Sequence, residues 1–261
     1  MAAGISGRTH LCGVLGHPLD HTLSPRMHNA AFAALRLDWV YVPLPVASDR
    51  LAEVLRGLRA LANFAGANVT VPHKEAVVPF LDDLTEEARA VGAVNTIVRA
   101  GDRLMGHTTD GVGLLAALAE AGNFRPAGTS IAIVGAGGAG RSAAFALAAA
   151  GARQVAIINR SEARAQIVAA DVARVAPDVR VLAYQLHDAN STAQILGGAD
   201  LVVNATSVGM RPEDPSLLDL APCHPNVFAY DMVYNPSETP FLRQARARGL
   251  RATNGLGMLL H

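Results

Sequence analysis

Ser130-Ile131-Ala132-Ile133-Val134-Gly135-Ala136-Gly137-Gly138-Ala139-Gly140 joins an apolar β-rich run to a glycine turn and the start of an Ala-rich apolar run. Residues 130–134 read as a buried strand and 139–150 as a helix. The glycines match G-x-G-x-x-G. Alone that match is weak, because Gly/Ala turns are common; the strand before it and the helix after it strengthen it. Such glycines let the backbone approach a pyrophosphate at a helix N-terminus, where free N–H groups and the dipole favour anions. Gly135, Ala136, Gly137, Gly138 and Ala139 are therefore the expected dinucleotide contacts.

The next strand, 154–158, runs into Asn159-Arg160-Ser161, with Arg164 one helical turn on. A site for NAD usually carries Asp or Glu here, to accept from the ribose 2′-OH. No carboxylate stands here to repel a 2′-phosphate, and Arg160 and Arg164 are suited to clamp one, with Ser161 at a helix start. The expectation is NADP. The plain alternative is that these arginines form a solvated helix face.

Working outward, β-α alternation continues with a helix over 161–175 and strands at 180–183, 201–204 and 227–230. Thr239-Pro240 reads as a capped helix start, and that helix ends near Gly249. Before the glycine loop, strands are expected at 11–15, 39–42, 68–71, 94–98 and 103–105. Pro43 and Pro45 are expected to end the second of these. Ser24 is read as an N-cap with Pro25 at N1, opening a helix to about residue 35. Leu51, Val54, Leu55 and Leu58 give helical spacing within 49–61. Short helices are expected at 74–80 and 85–90, and an apolar helix over 111–121. Asn123 to Thr129, polar and carrying Pro126 and Gly128, is the linker candidate. The expectation is an α/β chain of two domains: 1–122 for substrate, and 123–254 as a Rossmann-type NADP-binding domain with a mostly parallel sheet.

Composition narrows the function. The 261 residues balance 22 basic against 22 acidic side chains, and no basic face or tail suggests nucleic acid. Apolar runs are too short for a membrane span, and residues 1–10 lack the apolar core of a secretory signal. Two cysteines, Cys12 and Cys223, make no disulfide framework. The nine histidines show no metal-ligand spacing, so no metal is expected. These features point to a soluble cytoplasmic protein, with no nucleic-acid or membrane partner expected.

Asn68-Val69-Thr70-Val71-Pro72-His73-Lys74 places Lys74 just past a strand that Pro72 should stop. In open α/β sheets ligands bind outside the carboxyl ends of strands. A lysine there can give a proton; the plain alternative is a solvated lysine opening a helix. Other polar pairs sit at strand or turn ends: Thr22 and Ser24, Asn95 and Thr96, Thr109 and Asp110. Together they suit a polyhydroxylated ligand.

In these residues the chain resembles the shikimate dehydrogenase family. The matching stretches, in order, are Gly16-His17-Pro18, His21-Thr22-Leu23-Ser24-Pro25, Asn68 to Lys74, Gly92-Ala93-Val94-Asn95-Thr96, Thr109-Asp110-Gly111 and Gly135 to Ala139. They continue through Asn159-Arg160-Ser161, Asn204-Ala205-Thr206-Ser207, Asp231-Met232-Val233-Tyr234 and Gly255-Leu256-Gly257-Met258-Leu259. The resemblance implies NADPH-dependent reduction of 3-dehydroshikimate to shikimate in aromatic amino-acid synthesis. It implies Lys74 and Asp110 as the catalytic pair, and Thr22, Ser24, Thr70, Asn95 and Tyr234 as substrate contacts. Thr206 joins the cofactor set, and Met232, Gly255 and Met258 line the nicotinamide pocket. Because the pair and the glycine loop fall in different halves, closure of two domains over a cleft is expected.

Three departures stand out. The family usually has Ser at Thr22 and Asn at Thr108, and it has a Gln soon after Leu259. The first two keep a quinate or aminoshikimate paralogue open, with NAD as a possible cofactor. A non-catalytic NADP and shikimate sensor is the reading from another class. By the resemblance, 255–261 begins a C-terminal helix that continues and returns to the substrate domain, so a longer natural chain or a truncated form is expected. The oligomer is expected to be a monomer or a homodimer.

Overall fold

The structure is a computed structural model and describes residues 4–211 and 213–261. The chain forms two compact units, Met1–Thr109 and Asp110–His261. The first contains β1 (His10–Gly16), α1 (Ser24–Ala34), β2 (Trp39–Pro45), α2 (Leu51–Ala60), β3 (Phe64–Val69), α3 (His73–Ala76), β4 (Asp83–Leu84), α4 (Glu86–Val91), β5 (Thr96–Ala100) and β6 (Arg103–His107). Its sheet order is β2-β1-β3-β5-β6-β4. β1 pairs in parallel with β2 and β3, whereas β5 runs antiparallel to both β3 and β6. Leu51, Leu55 and Leu58 form the buried face of α2, in a core with Leu15, Phe64 and Ile97. Burying each such side chain contributes roughly 1.5–3 kcal/mol.

The second unit contains α5 (Asp110–Gly122), β7 (Ser130–Val134), α6 (Gly138–Ala149), β8 (Gln154–Asn159), α7 (Glu162–Val175), β9 (Arg180–Gln185), α8 (Ala189–Gly197), β10 (Leu201–Asn204), β11 (Phe228–Asp231), α9 (Pro240–Ala247), β12 (Arg251–Thr253) and α10 (Leu256–Leu260). Its sheet order is β12-β11-β10-β7-β8-β9, with every pairing parallel. From β7 the chain winds one way through β8 and β9, then returns to β10 and winds the other way. The reversal between β7 and β10 is the topological switch point where such sheets bind ligands. β7 and β10 are buried along their whole length, as strands covered on both faces must be.

Several local readings change. The boundary falls at Thr109/Asp110 rather than at 122/123, because α5 packs on α6 and α10 within the second unit. The polar segment 123–129 is thus a loop inside that unit. Helix α1 starts at Ser24 with Leu23 as N-cap, and it is the Thr22 hydroxyl that accepts the Ser24 N–H, at 3.3 Å. Pro43 does not end β2 but lies within it, and the strand runs on to end at Pro45. They are tolerated because β2 is an edge strand, where one side needs no ladder donor. On that side the Asn29 carboxamide binds Tyr41, accepting its N–H at 2.9 Å and donating to its carbonyl at 2.8 Å. The third strand ends at Val69, two residues before Val71. Among the described residues no helix is long and apolar enough to cross a membrane.

Candidate active site

In the first unit one rim of the sheet gathers the expected polar groups. Parallel strands β1, β2 and β3 end there, at Gly16, Pro45 and Val69. Antiparallel β5 begins there, since Asn68 pairs with Thr96, and β6 ends there, since Thr96 pairs with His107. Thr22, Ser24, Thr70, Lys74, Asn95 and Thr109 all lie in the segments leaving or entering this rim. The Thr70 N–H donates to Leu15 at 2.8 Å, and Val94 N–H donates to the Lys74 carbonyl at 2.8 Å. Buried His73 anchors the turn, its Nε2 lying 2.7 Å from the Val46 carbonyl. Lys74 is half-buried on the first turn after that anchor.

A run of side chains beneath the rim was invisible in the sequence. The Tyr41 hydroxyl donates to Asn68 Oδ1 at 2.6 Å, and Asn68 Nδ2 donates to Thr96 Oγ1 at 3.2 Å. Thr96 donates to Asn95 Oδ1 at 3.1 Å. Asn95 then holds Thr109 twice, through Nδ2 to its hydroxyl at 2.8 Å and through Oδ1 to its N–H at 3.0 Å. Asn95 is therefore fixed from behind, and Tyr41 and Asn68 belong to the supporting layer. The only sequence signal was polar groups interrupting apolar strands.

In the second unit the expected cofactor residues also share one rim, the carboxyl ends of β7, β8, β10, β11 and β12. Gly135 has φ 113°, a conformation that favours glycine, and a Cβ there would lie 2.9 Å from the Ala205 carbonyl oxygen. A Cβ on Gly140 would lie 2.1 Å from the Gly135 oxygen. The loop therefore sits down on neighbouring backbone and leaves a cradle that side chains would fill. Gly137 offers α6 no side-chain cap, so the first-turn N–H groups of this helix suit a pyrophosphate. Asn159 Oδ1 accepts the Ala136 N–H at 3.3 Å, and Arg164 Nη2 reaches the Ala136 carbonyl at 3.5 Å. Arg164 thus lies against the glycine loop. Arg160 is exposed beside it, and Ser161 caps α7 by accepting the Arg164 N–H at 3.4 Å. Met232 and Gly255 meet closely: a Cβ on Gly255 would lie 2.2 Å from the Met232 oxygen. Met258 sits on α10, half-buried, its carbonyl 2.8 Å from where a Gly113 Cβ would stand. Thr206 and Tyr234 follow β10 and β11 and are half-buried. Asp110 opens α5, so it and Tyr234 belong to this unit, while Lys74 and the other four expected substrate contacts belong to the first.

Sequence reasoning assigned no role to Asp231, which is fully buried at the end of β11. Its carboxylate accepts from Asn204 Nδ2 at 2.9 Å, Val233 N–H at 3.0 Å and the Thr239 hydroxyl at 2.5 Å. Burial pushes its pKa up to about 6, against the pull of those three uncharged donors. The folded pKa lies above the unfolded value of 3.8, so the folded state binds the proton more tightly. This contribution to stability is complete below about pH 4 and is lost as pH rises through about 6. Urea unfolding of wild type and Asp231→Asn across pH should therefore show the difference moving by up to about 3 kcal/mol in favour of wild type on going from pH 8 to 4. A pH-independent difference would mean that the carboxyl titrates normally.

Both cysteines are buried, which pushes each thiol up to about 11 and leaves neither suited to nucleophilic chemistry. Among the described residues no group of three or more His, Cys, Asp or Glu could hold a metal ion.

Comparison with known proteins accords with the two-unit description. Residues 14–97 match the shikimate dehydrogenase substrate binding domain, and residues 117–210 match shikimate / quinate 5-dehydrogenase. The chain is 48% identical to the NADP(+) shikimate dehydrogenase of Moorella thermoacetica, covering 98% of this chain and 86% of that one. With the enzyme of the same name from Geobacter metallireducens it shares 46% identity, over 98% and 89% of the two chains. A solved shikimate dehydrogenase in complex with NADP+ superposes with a TM-score of 0.88 at 35% identity, covering 99% and 88%. Two matched domains in the right order, and near-complete coverage at this identity, place the chain in the shikimate dehydrogenase family.

Proposed function

We propose that this protein catalyses the reversible NADPH-dependent reduction of 3-dehydroshikimate to shikimate, in the cytoplasm, as a step of aromatic amino-acid synthesis, and works as a monomer or homodimer. The observation that carries the cofactor half is the glycine loop held by Asn159 and backed by Arg164, with Arg160 beside it and no carboxylate at that strand end. The NADP named for its relatives supports the same reading.

When bound, the nicotinamide supplies hydride to the substrate carbonyl carbon. Lys74 holds its ammonium to the carbonyl oxygen and gives up a proton as negative charge develops there. Asp110, which opens α5, is the carboxylate member of the catalytic pair. Thr22, Ser24, Thr70 and Asn95 offer hydroxyl and amide groups to a hydroxylated acid, and Tyr234 adds a phenol. Thr206, Met232, Gly255 and Met258 shape the nicotinamide end of the cofactor site.

The test is turnover by the purified chain on shikimate and on quinate, each with NADP+ and NAD+, followed by the absorbance of the reduced cofactor. Shikimate with NADP+ should be the best pair. Faster turnover of quinate would reassign the substrate. Ligand binding with no absorbance change in any arm would mark a sensor rather than an enzyme.

A further inference from the structure

The second sheet separates the two ends of a dinucleotide. The glycine loop leaves β7 at the switch point, and Asn159, Arg160 and Arg164 stand on the β8 side, where they suit the 2′-phosphate half. The other half of the ligand must extend over β10 and β11. The walls there are the segment after Asn204 and the turn after Asp231.

These walls hang on one side chain. Asp231 Oδ1 accepts Asn204 Nδ2 and the Val233 N–H, while Oδ2 accepts the Thr239 hydroxyl. Asn204 passes the constraint on: its Nδ2 also donates to the Val208 carbonyl at 3.1 Å, and its Oδ1 accepts the Thr206 N–H at 3.0 Å and hydroxyl at 2.8 Å. Thr206 Oγ1 in turn accepts the Val208 N–H at 3.1 Å. Thr239 Oγ1 accepts the Leu242 N–H at 3.2 Å and so fixes the first turn of α9. Met232 N–H donates to the Asn204 carbonyl at 2.9 Å, closing the ring between the two strand ends. Asp231 presents only acceptors to three donors, and no donor in the ring is charged. A fully buried carboxylate is a costly way to join strands that apolar packing could hold. What it adds is a fixed direction for two loops at once.

We propose that Asp231 is a positioning residue for the nicotinamide half of the cofactor cleft, holding the 204–208 segment, the turn after β11 and the start of α9 in one arrangement. This rests on the NADP reading above. The residue acts through Thr206 and Met232 and does not itself touch the ligand.

The experiment uses the full chain and two probes, NADPH and adenosine 2′,5′-bisphosphate, which carries only the adenine half. For Asp231→Asn, thermal unfolding establishes folding, titration gives both affinities, and amide hydrogen exchange reports on residues 205–209. The amide side chain puts a donor where one of three donors expects an acceptor. NADPH affinity should fall by about tenfold, the size of one charged hydrogen bond lost, and the 205–209 amides should exchange faster. Bisphosphate affinity should stay within about twofold of wild type. Thr239→Val should show the same split, and Thr239→Ser, which keeps the hydroxyl, should restore it. Equal losses for both probes would reduce Asp231 to general structural support. Unchanged NADPH affinity and exchange would overturn the proposal outright. If Asp231→Asn does not fold, the Thr239 pair decides by the same criteria. Wild type that binds neither probe would overturn the cofactor reading itself, and this proposal with it.

Discussion

Lys74→Ala should lower kcat by roughly two or more orders of magnitude, the range for a positioned acid–base group. Lys74 is held through its backbone, whose carbonyl accepts Val94 N–H, and the turn is anchored by buried His73 on Val46. Neither of these two contacts uses the Lys74 side chain, so both survive its truncation beyond Cβ. NADPH affinity should be nearly unchanged, because the glycine loop and its arginines belong to the other unit. Lys74→Arg should rescue little: guanidinium stays protonated at any working pH and is planar where ammonium is a compact point charge. Steady-state kinetics with both substrates and a separate NADPH titration give the comparison. A near-normal kcat would end the assignment of Lys74 as the proton donor.

Arg160→Ala should weaken NADP binding by about ten- to a hundred-fold, since a hydrogen bond to a charged group contributes about 1.5–3 kcal/mol. NAD binding should barely change. The asymmetry is what tests the role. Arg160 is exposed between Asn159, which holds the glycine loop, and Ser161, which caps α7. Neither neighbour uses the Arg160 side chain, so its loss leaves the loop and the cap in place. Titration of both cofactors into the variant supplies the measurement. Equal weakening of NADP and NAD would show that Arg160 supports the loop and does not read the 2′-phosphate.

The parts of the fold written in local chemistry were legible. Gly135 and Gly140 require glycine for reasons that a pattern captures, and Thr239-Pro240 caps α9 as expected. Other features depend on partners distant in sequence. β4 has two residues and β12 three, too few for a periodicity to register. Helix α8 begins in the polar run at Asp188, which reads like a loop until its carboxylate is seen capping Ser191. The direction of β5 cannot be read from alternation, which is the same for parallel and antiparallel pairing, yet that direction brings Asn95 to the rim. The boundary was misplaced because Pro126 and Gly128 signal a turn without saying whether a domain ends there. Asn204 and Asp231 each close an apolar strand, as any loop-facing polar residue would. Only the three-dimensional pairing of β10 with β11 makes them neighbours.

The Asn29 carboxamide does for β2 what a seventh strand would do for the sheet. An open edge offers its N–H and C=O groups to any extended chain, and such edges seed aggregation. Along β2 the outward peptide of Tyr41 is already occupied on both its N–H and its carbonyl. Pro43 and Pro45 carry no N–H to offer. An incoming strand would find its ladder interrupted at three of the seven residues of β2. The Ala- and Val-rich first unit is thereby protected from adding to itself edge to edge, by one side chain from α1 and two imino acids, without a charge on the strand.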